Sequence, residues 1–61
     1  SYQGDASMTI RSFIKDNREE LDRCIRRAIG PDVKLNDEDR RQWILNDESL
    51  YHWARSEGVR I

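Results

Sequence analysis

Residues 35–54 decide the fold of this chain, and they read LNDEDRRQWI followed by LNDESLYHWA. The tetrapeptide Leu-Asn-Asp-Glu returns after ten residues, and a tryptophan stands five residues after the glutamate of each copy, at Trp43 and Trp53. An asparagine before two acidic residues is typical of a helix start, because its side chain accepts hydrogen bonds from first-turn amides while the carboxylates offset the positive end of the helix. Each copy therefore predicts the beginning of a helix.

These two starts predict short tandem helices over 37–45 and 47–57, with Asn36 and Asn46 as their N-caps. Leu45 stands directly before the second predicted cap, where it could staple onto Leu50.

The alternative to two tandem helices is one helix over 36–57, which would place Asp47 in the middle of an apolar stripe, so we prefer two. Gly58 suits the left-handed position that ends a helix, and Val59 suits the hydrophobic contact that follows it.

The preceding segment, 9–29, has the apolar spacing of one long amphipathic helix. Thr9 is its predicted N-cap and Gly30-Pro31 its stop. Seven apolar residues share one face: Ile10, Phe13, Ile14, Leu21, Cys24, Ile25 and Ala28. Asn17 interrupts this face, and the segment is either continuous through it or broken near Asp16-Asn17 with a capping box at the break; we prefer the continuous helix.

The sequence thus predicts an all-α fold, a small three-helix domain in which one long amphipathic helix is followed by two short tandem helices. Residues 1–7 resemble a remnant of an expression vector, and 8–61 form the single domain. The two short helices are expected to contribute five residues to the core: Trp43, Ile44, Leu50, Trp53 and Ala54. Cys24 is expected to act as a small core hydrophobe.

Composition narrows the class of protein. The chain has 61 residues, a net charge of −1 and a mean hydropathy of −0.98. One cysteine and one histidine are too few for an intrachain disulfide or a zinc finger. No apolar run reaches the roughly 18 residues of a membrane span, and no export signal is visible, so we expect a cytoplasmic protein without membrane contact.

No group of residues in the sequence indicates a catalytic or metal-binding site. Ser49 and His52 lie three positions apart on a predicted helix, but a hydrolytic triad also needs an oxyanion hole and a cleft. The run Asp37-Glu38-Asp39 is explained as stabilisation of a helix start. We therefore expect no enzyme, no catalytic residues, no metal, no cofactor and no small-molecule substrate.

A protein-binding surface on the first helix is the preferred functional hypothesis. Four basic residues and one polar residue mark it: Arg11, Lys15, Asn17, Arg18 and Arg26. The basic residues follow one flank of the apolar face, and the opposite flank is mostly acidic, a pattern that suits a partner helix or an antiparallel copy of the same helix. A buried asparagine could set the register of such a pair.

The first alternative is a helix–turn–helix that binds nucleic acid through the last helix, with five contact residues: Arg40, Arg41, Ser49, His52 and Arg55. A balance of 11 acidic and 11 basic residues over 8–61 disfavours this alternative, as does the acidic start of the last helix. The second alternative is a stand-alone monomer with no partner.

Overall fold

Four helices make up the described part of the chain, residues 8–61, in the computed structural model. They are α1 (Ile10–Asp16), α2 (Arg18–Ile29), α3 (Asp37–Asn46) and α4 (Glu48–Ser56). The all-α class is confirmed, since this range holds no strand beyond an isolated bridge. The three-helix arrangement is wrong by one helix. Residues 1–7, assigned above to a vector remnant, lie outside the described residues.

The additional helix arises because the first segment divides at Asn17, whose backbone (φ −123°, ψ 25°) leaves the helical region. Its side-chain amide donates to the carbonyl oxygen of Phe13 at 3.0 Å, the oxygen that its own backbone N–H also reaches at 3.0 Å. A half-buried amide that bonds its own backbone competes with the helical ladder. The prediction of a continuous helix is therefore wrong. The break is the one considered near Asp16-Asn17, but no side-chain capping bond from Asn17 starts α2.

The start of α3 is as the sequence predicts. The Asn36 side chain accepts from the Asp39 N–H at 2.7 Å, and the Asp39 carboxylate accepts from the Asn36 N–H at 3.2 Å. This reciprocal capping box satisfies two backbone donors that a helix start otherwise leaves free. Thr9 caps α1 in the predicted way, accepting from the Ser12 N–H at 3.1 Å.

The start of α4 is shifted by one residue, because Asp47 and not Asn46 is its N-cap. The Asp47 N–H closes α3 on the Trp43 carbonyl at 2.9 Å, and its side chain opens α4 by accepting from the Leu50 N–H at 3.0 Å. One aspartate thus ends one helix and starts the next. Leu45 consequently lies one position too early for the predicted staple and is 36% exposed.

The end of α4 is a Schellman motif. Gly58 adopts φ +97°, its N–H bonds the Arg55 carbonyl at 3.0 Å, and the N–H of Val59 bonds the Ala54 carbonyl at 3.1 Å. Val59, buried as predicted, also forms a parallel bridge with Met8, which the sequence did not indicate. The bridge joins the residues before α1 to those after α4.

The core lies where α3 packs against the other three helices. Eight apolar residues are buried there: Phe13, Ile14, Leu21, Ile25, Ile44, Leu50, Ala54 and Val59. Trp53 packs edge-on against Phe13 with ring centroids 4.9 Å apart. Trp43 and Trp53 are both half-buried against this core, so the predicted core positions are approximately correct.

Two predicted core residues of α2 are exposed. Cys24 and Ala28 continue the apolar face of the helix beyond Leu21, yet both face solvent. The cause is a shortage of covering elements, because α3 and α4 are ten and nine residues long. The prediction that Cys24 is a core hydrophobe is wrong.

Candidate functional site: an open groove beside α2

The exposed part of the α2 apolar face forms one wall of a shallow groove, here called the Cys24 groove. It is lined by seven residues: Cys24, Arg27, Ala28, Trp43, Asp47, Ser49 and Leu50. The residues come from the second half of α2, the end of α3 and the first turn of α4. Asp47 is the single residue between α3 and α4, so the first turn of α4 lines the groove together with Trp43.

The size and chemistry of the Cys24 groove suit a side chain better than a small molecule. Its volume is about 220 Å³, below the roughly 300–1,000 Å³ of pockets that enclose drug-sized ligands. Cys24, Ala28 and the half-buried Trp43 supply apolar surface, while Arg27 and Asp47 place opposite charges at the rim. An apolar strip with a polar rim and a partly exposed aromatic side chain is typical of protein contact surfaces.

A buried ionic cluster beneath the surface joins α2 to α3. The Arg40 guanidinium donates to Asp22 through Nε at 2.7 Å and Nη2 at 2.9 Å, and through Nη1 to Asp37 at 2.7 Å. The side chains of Arg40 and Asp22 are 10% and 20% exposed. This bidentate geometry gives the guanidinium N–H donors of Arg40 charged acceptors in place of water. The cluster is therefore a structural joint and leaves no free face of Arg40 for a ligand.

The electrostatics of the cluster follow from the same hydrogen bonds. The hydrogen bond from Arg40, reinforced by its charge, holds the pKa of Asp22 below its ordinary value even though burial opposes this. The hydrogen bond to Asp22 raises the pKa of Arg40 in the same way. Both groups are thus charged at neutral pH, as a buried pair must be to remain compensated.

The break at Asn17 divides the predicted protein-contact residues between two helices, with Arg11 and Lys15 on α1 and Arg18 and Arg26 on α2. Arg11 and Lys15 are exposed on α1. Arg18 lies 3.8 Å from an aspartate carboxylate at the start of α3, and Arg26 donates to two carbonyls of the loop that follows α2. Arg18 and Arg26 therefore have structural partners within the fold. Lys15, Asn17 and Arg18 do share a polar notch at the break.

The predicted nucleic-acid contacts are dispersed. Arg40 is buried, Arg41 pairs with a first-turn glutamate of α3 at 3.3 Å, and Ser49 lines the Cys24 groove. His52 is 70% exposed, 3.8 Å from a glutamate one turn earlier, and Arg55 donates to the carbonyl of the last residue at 2.9 Å. Helix–turn–helix motifs usually join their helices through a turn of about 3–4 residues, whereas a single residue separates α3 from α4.

The described residues contain neither a cluster of metal ligands nor a helix suited to cross a membrane. Within residues 8–61 there is no group of three His, Cys, Asp or Glu side chains that could hold a metal ion. None of the four helices combines the length and the apolar content that crossing a membrane requires.

The sequence carries only a partial signal for the Cys24 groove. The apolar arc of the first segment extends to Ala28, but periodicity does not show which part of that arc the other helices leave uncovered. The partnership of Arg40 with Asp22 had a weaker signal, since Asp22 stands alone among the basic residues on its flank.

Comparison with known proteins identifies no relative of this chain. No protein-family model, curated protein or solved structure matches the chain, so a proposed function rests on the described residues themselves.

Proposed function

We propose that this chain is a non-enzymatic protein-binding module that docks a partner through the Cys24 groove. The observation that carries the proposal is the exposure of Cys24 and Ala28 on the apolar face of α2, next to the half-buried ring of Trp43. When a partner covers apolar side chains that were in contact with water, the free energy falls by about 25 cal/mol for each Å² of apolar surface buried.

Two further features support docking over catalysis. The groove is open and shallow, whereas an active site needs an enclosed pocket with converging polar groups. The strongest charged contacts, those of Arg40, hold two helices together and are occupied within the fold. We place the module in the cytoplasm as part of the proposal, because an exposed thiol such as Cys24 persists in a reducing compartment.

The relation to the surface expected from sequence is close but not identical. The proposed contact lies on α2, the second part of the segment predicted as the contact helix, and it uses the apolar face and not the basic flank. Arg11 and Lys15, which are exposed on α1, remain available to extend the contact towards an acidic partner.

The test compares the chain with Ala28→Arg, which places a charge in the groove, and with Ser56→Arg, which adds the same side chain at the exposed end of α4. Each is immobilised and exposed to cell extract. Proteins retained by the parent and by Ser56→Arg but lost with Ala28→Arg are identified, purified and titrated into nitrogen-15-labelled protein. Shift changes centred on Cys24, Ala28 and the Trp43 indole are expected.

Four results would contradict the proposal. One is equal retention of every protein by Ala28→Arg. Another is a titration whose shifts fall away from the groove. The third comes from random-sequence duplex DNA at low salt: shifts confined to α4 that reverse with added salt would favour the nucleic-acid alternative. Absence of any interaction in both titrations would favour the stand-alone monomer.

A further inference from the structure

The exposed face of α2 carries a negative charge before Cys24 and a positive charge after it. Glu20 and Arg27 are both exposed and lie four residues before and three residues after Cys24, the spacing of neighbours on one helix face. Arg27 also lines the Cys24 groove. Neither side chain has an ion-pair partner within residues 8–61.

This arrangement is self-complementary in one orientation only. When two copies of α2 lie antiparallel with Cys24 near the centre, Glu20 of one copy lies beside Arg27 of the other, and the reverse pair forms by symmetry. In a parallel pair, glutamate would face glutamate and arginine would face arginine, and such like-charge contacts are costly at an interface.

We propose that the occupant of the Cys24 groove is a second copy of this chain, bound through an antiparallel pairing of α2 with two reciprocal Glu20–Arg27 ion pairs. The proposal rests on the proposed function above and names its partner. In the pair, Cys24 and Ala28 cover their counterparts, and Trp43 of each copy closes the edge of the contact.

The size of the contact sets its expected strength. The face from Glu20 to Ala28 is about 12 Å long at 1.5 Å per residue, so the contact falls short of the roughly 800 Å² per partner of a standard stable interface. The dimer is therefore weak, with a dissociation constant of about 10 µM to 1 mM. Two charge pairs at its rim also make it sensitive to salt.

The experiment is sedimentation equilibrium of the full chain from about 10 µM to 1 mM, with circular dichroism to confirm that each variant is folded. Glu20→Arg and Arg27→Glu each place like charges across the pair and are expected to weaken the dimer at least about tenfold. The double variant Glu20→Arg, Arg27→Glu restores opposite charges and is expected to recover the parent constant. Glu19→Arg is the matched control, since it makes the same charge change on another face of α2.

A second measurement uses the cysteine itself and needs no change of charge. With diamide, which takes up two protons and two electrons as two thiols join, Cys24 of two copies is expected to form a disulfide faster than a cysteine placed elsewhere, in Cys24→Ser with Ser56→Cys. Equal rates would overturn the proposal.

Three other results would overturn the pairing as well. They are a monomer at all concentrations, a dimer whose dissociation constant is unchanged by Glu20→Arg and Arg27→Glu, and a dimer that Glu19→Arg weakens as much as those two variants do. A persistent monomer leaves the proposed docking function to its own retention experiment, where Ala28→Arg still decides, so the two failures are distinguishable.

Discussion

Replacing Asp22 with asparagine tests the buried ionic cluster that joins α2 to α3. The change keeps the size of the side chain and one acceptor oxygen but removes the carboxylate charge. Arg40, whose side chain is 10% exposed, then keeps its bond to Asp37, a side chain that is 63% exposed. The perturbation therefore leaves a buried guanidinium with half of its compensation.

The magnitude follows from the bonds that are lost. Hydrogen bonds to charged groups contribute about 1.5–3 kcal/mol, and an uncompensated buried charge costs about 3–5 kcal/mol. Because Asp37 remains and the amide oxygen can still accept one N–H, we expect a loss of about 2–3 kcal/mol. A chain of this size rarely has more than about 3–5 kcal/mol in total, so the variant should retain at most about 3 kcal/mol.

The assay is urea denaturation followed by tryptophan fluorescence and circular dichroism, with the free energy of unfolding extrapolated to water. The melting temperature should fall by about 8–24 °C, since each kcal/mol shifts a domain of this size by about 4–8 °C. A double-mutant cycle with Arg40→Met separates the coupling from the single losses. Removing both charges should cost less than the two single changes added together.

The matched control is Glu38→Gln, which removes one carboxylate from the exposed pair with Arg41, whose side chains are 65% and 47% exposed. Exposed pairs contribute about 0–1 kcal/mol, so this variant should remain near the parent. The reasoning fails if Asp22→Asn changes stability no more than Glu38→Gln does, because the buried ion pair would then stabilise the fold no more than an exposed one.

Three further predictions follow from the fold. Because the pKa of Asp22 is lowered in the folded chain, its contribution is complete above the unfolded value of about 3.9 and is lost as pH falls through the folded value; the stability gap between parent and Asp22→Asn should therefore close in acid, and a gap that is constant with pH would contradict the assignment. Asn17→Ala removes the side-chain bond to the backbone and should bring residue 17 into the helical range of carbon chemical shifts; a non-helical shift there would mean that packing and not Asn17 causes the break. Gly58→Ala forces a Cβ into φ +97° and should cost about 1–2 kcal/mol in urea denaturation, with Gly58→Asn costing less; equal stability of all three chains would refute the strain.

Local chemistry was predictable wherever neighbouring residues decide the outcome. The caps at Thr9 and Asn36 and the stop at Gly58 depend on residues within a few positions of the bonds that they make. Asn46 shows the limit of this reasoning, because Asn46 and Asp47 are both good caps. In the fold Asp47 is the cap, while the Asn46 side chain donates to the Gln42 carbonyl at 2.8 Å.

The candidate site was predictable only in part, since it depends on which surfaces are left over. Periodicity identified the apolar face of α2 but not the exposure of Cys24 and Ala28, which follows from the reach of α3 and α4. Arg40 was the opposite case: the nucleic-acid alternative made it a contact residue, and it is instead buried against Asp22, 18 residues away in sequence.

The sequence by itself determined that the chain is all-α, that caps lie at Thr9 and Asn36 and a stop at Gly58, and which residues are apolar enough to be buried, because these properties depend on residue chemistry at helical spacing. The break at Asn17 was one of two alternatives that the sequence left open, and a bond within four residues accompanies it. Only the tertiary structure decided the pairing of Arg40 with Asp22 and the groove beside α2, because both depend on which residues distant in sequence come into contact.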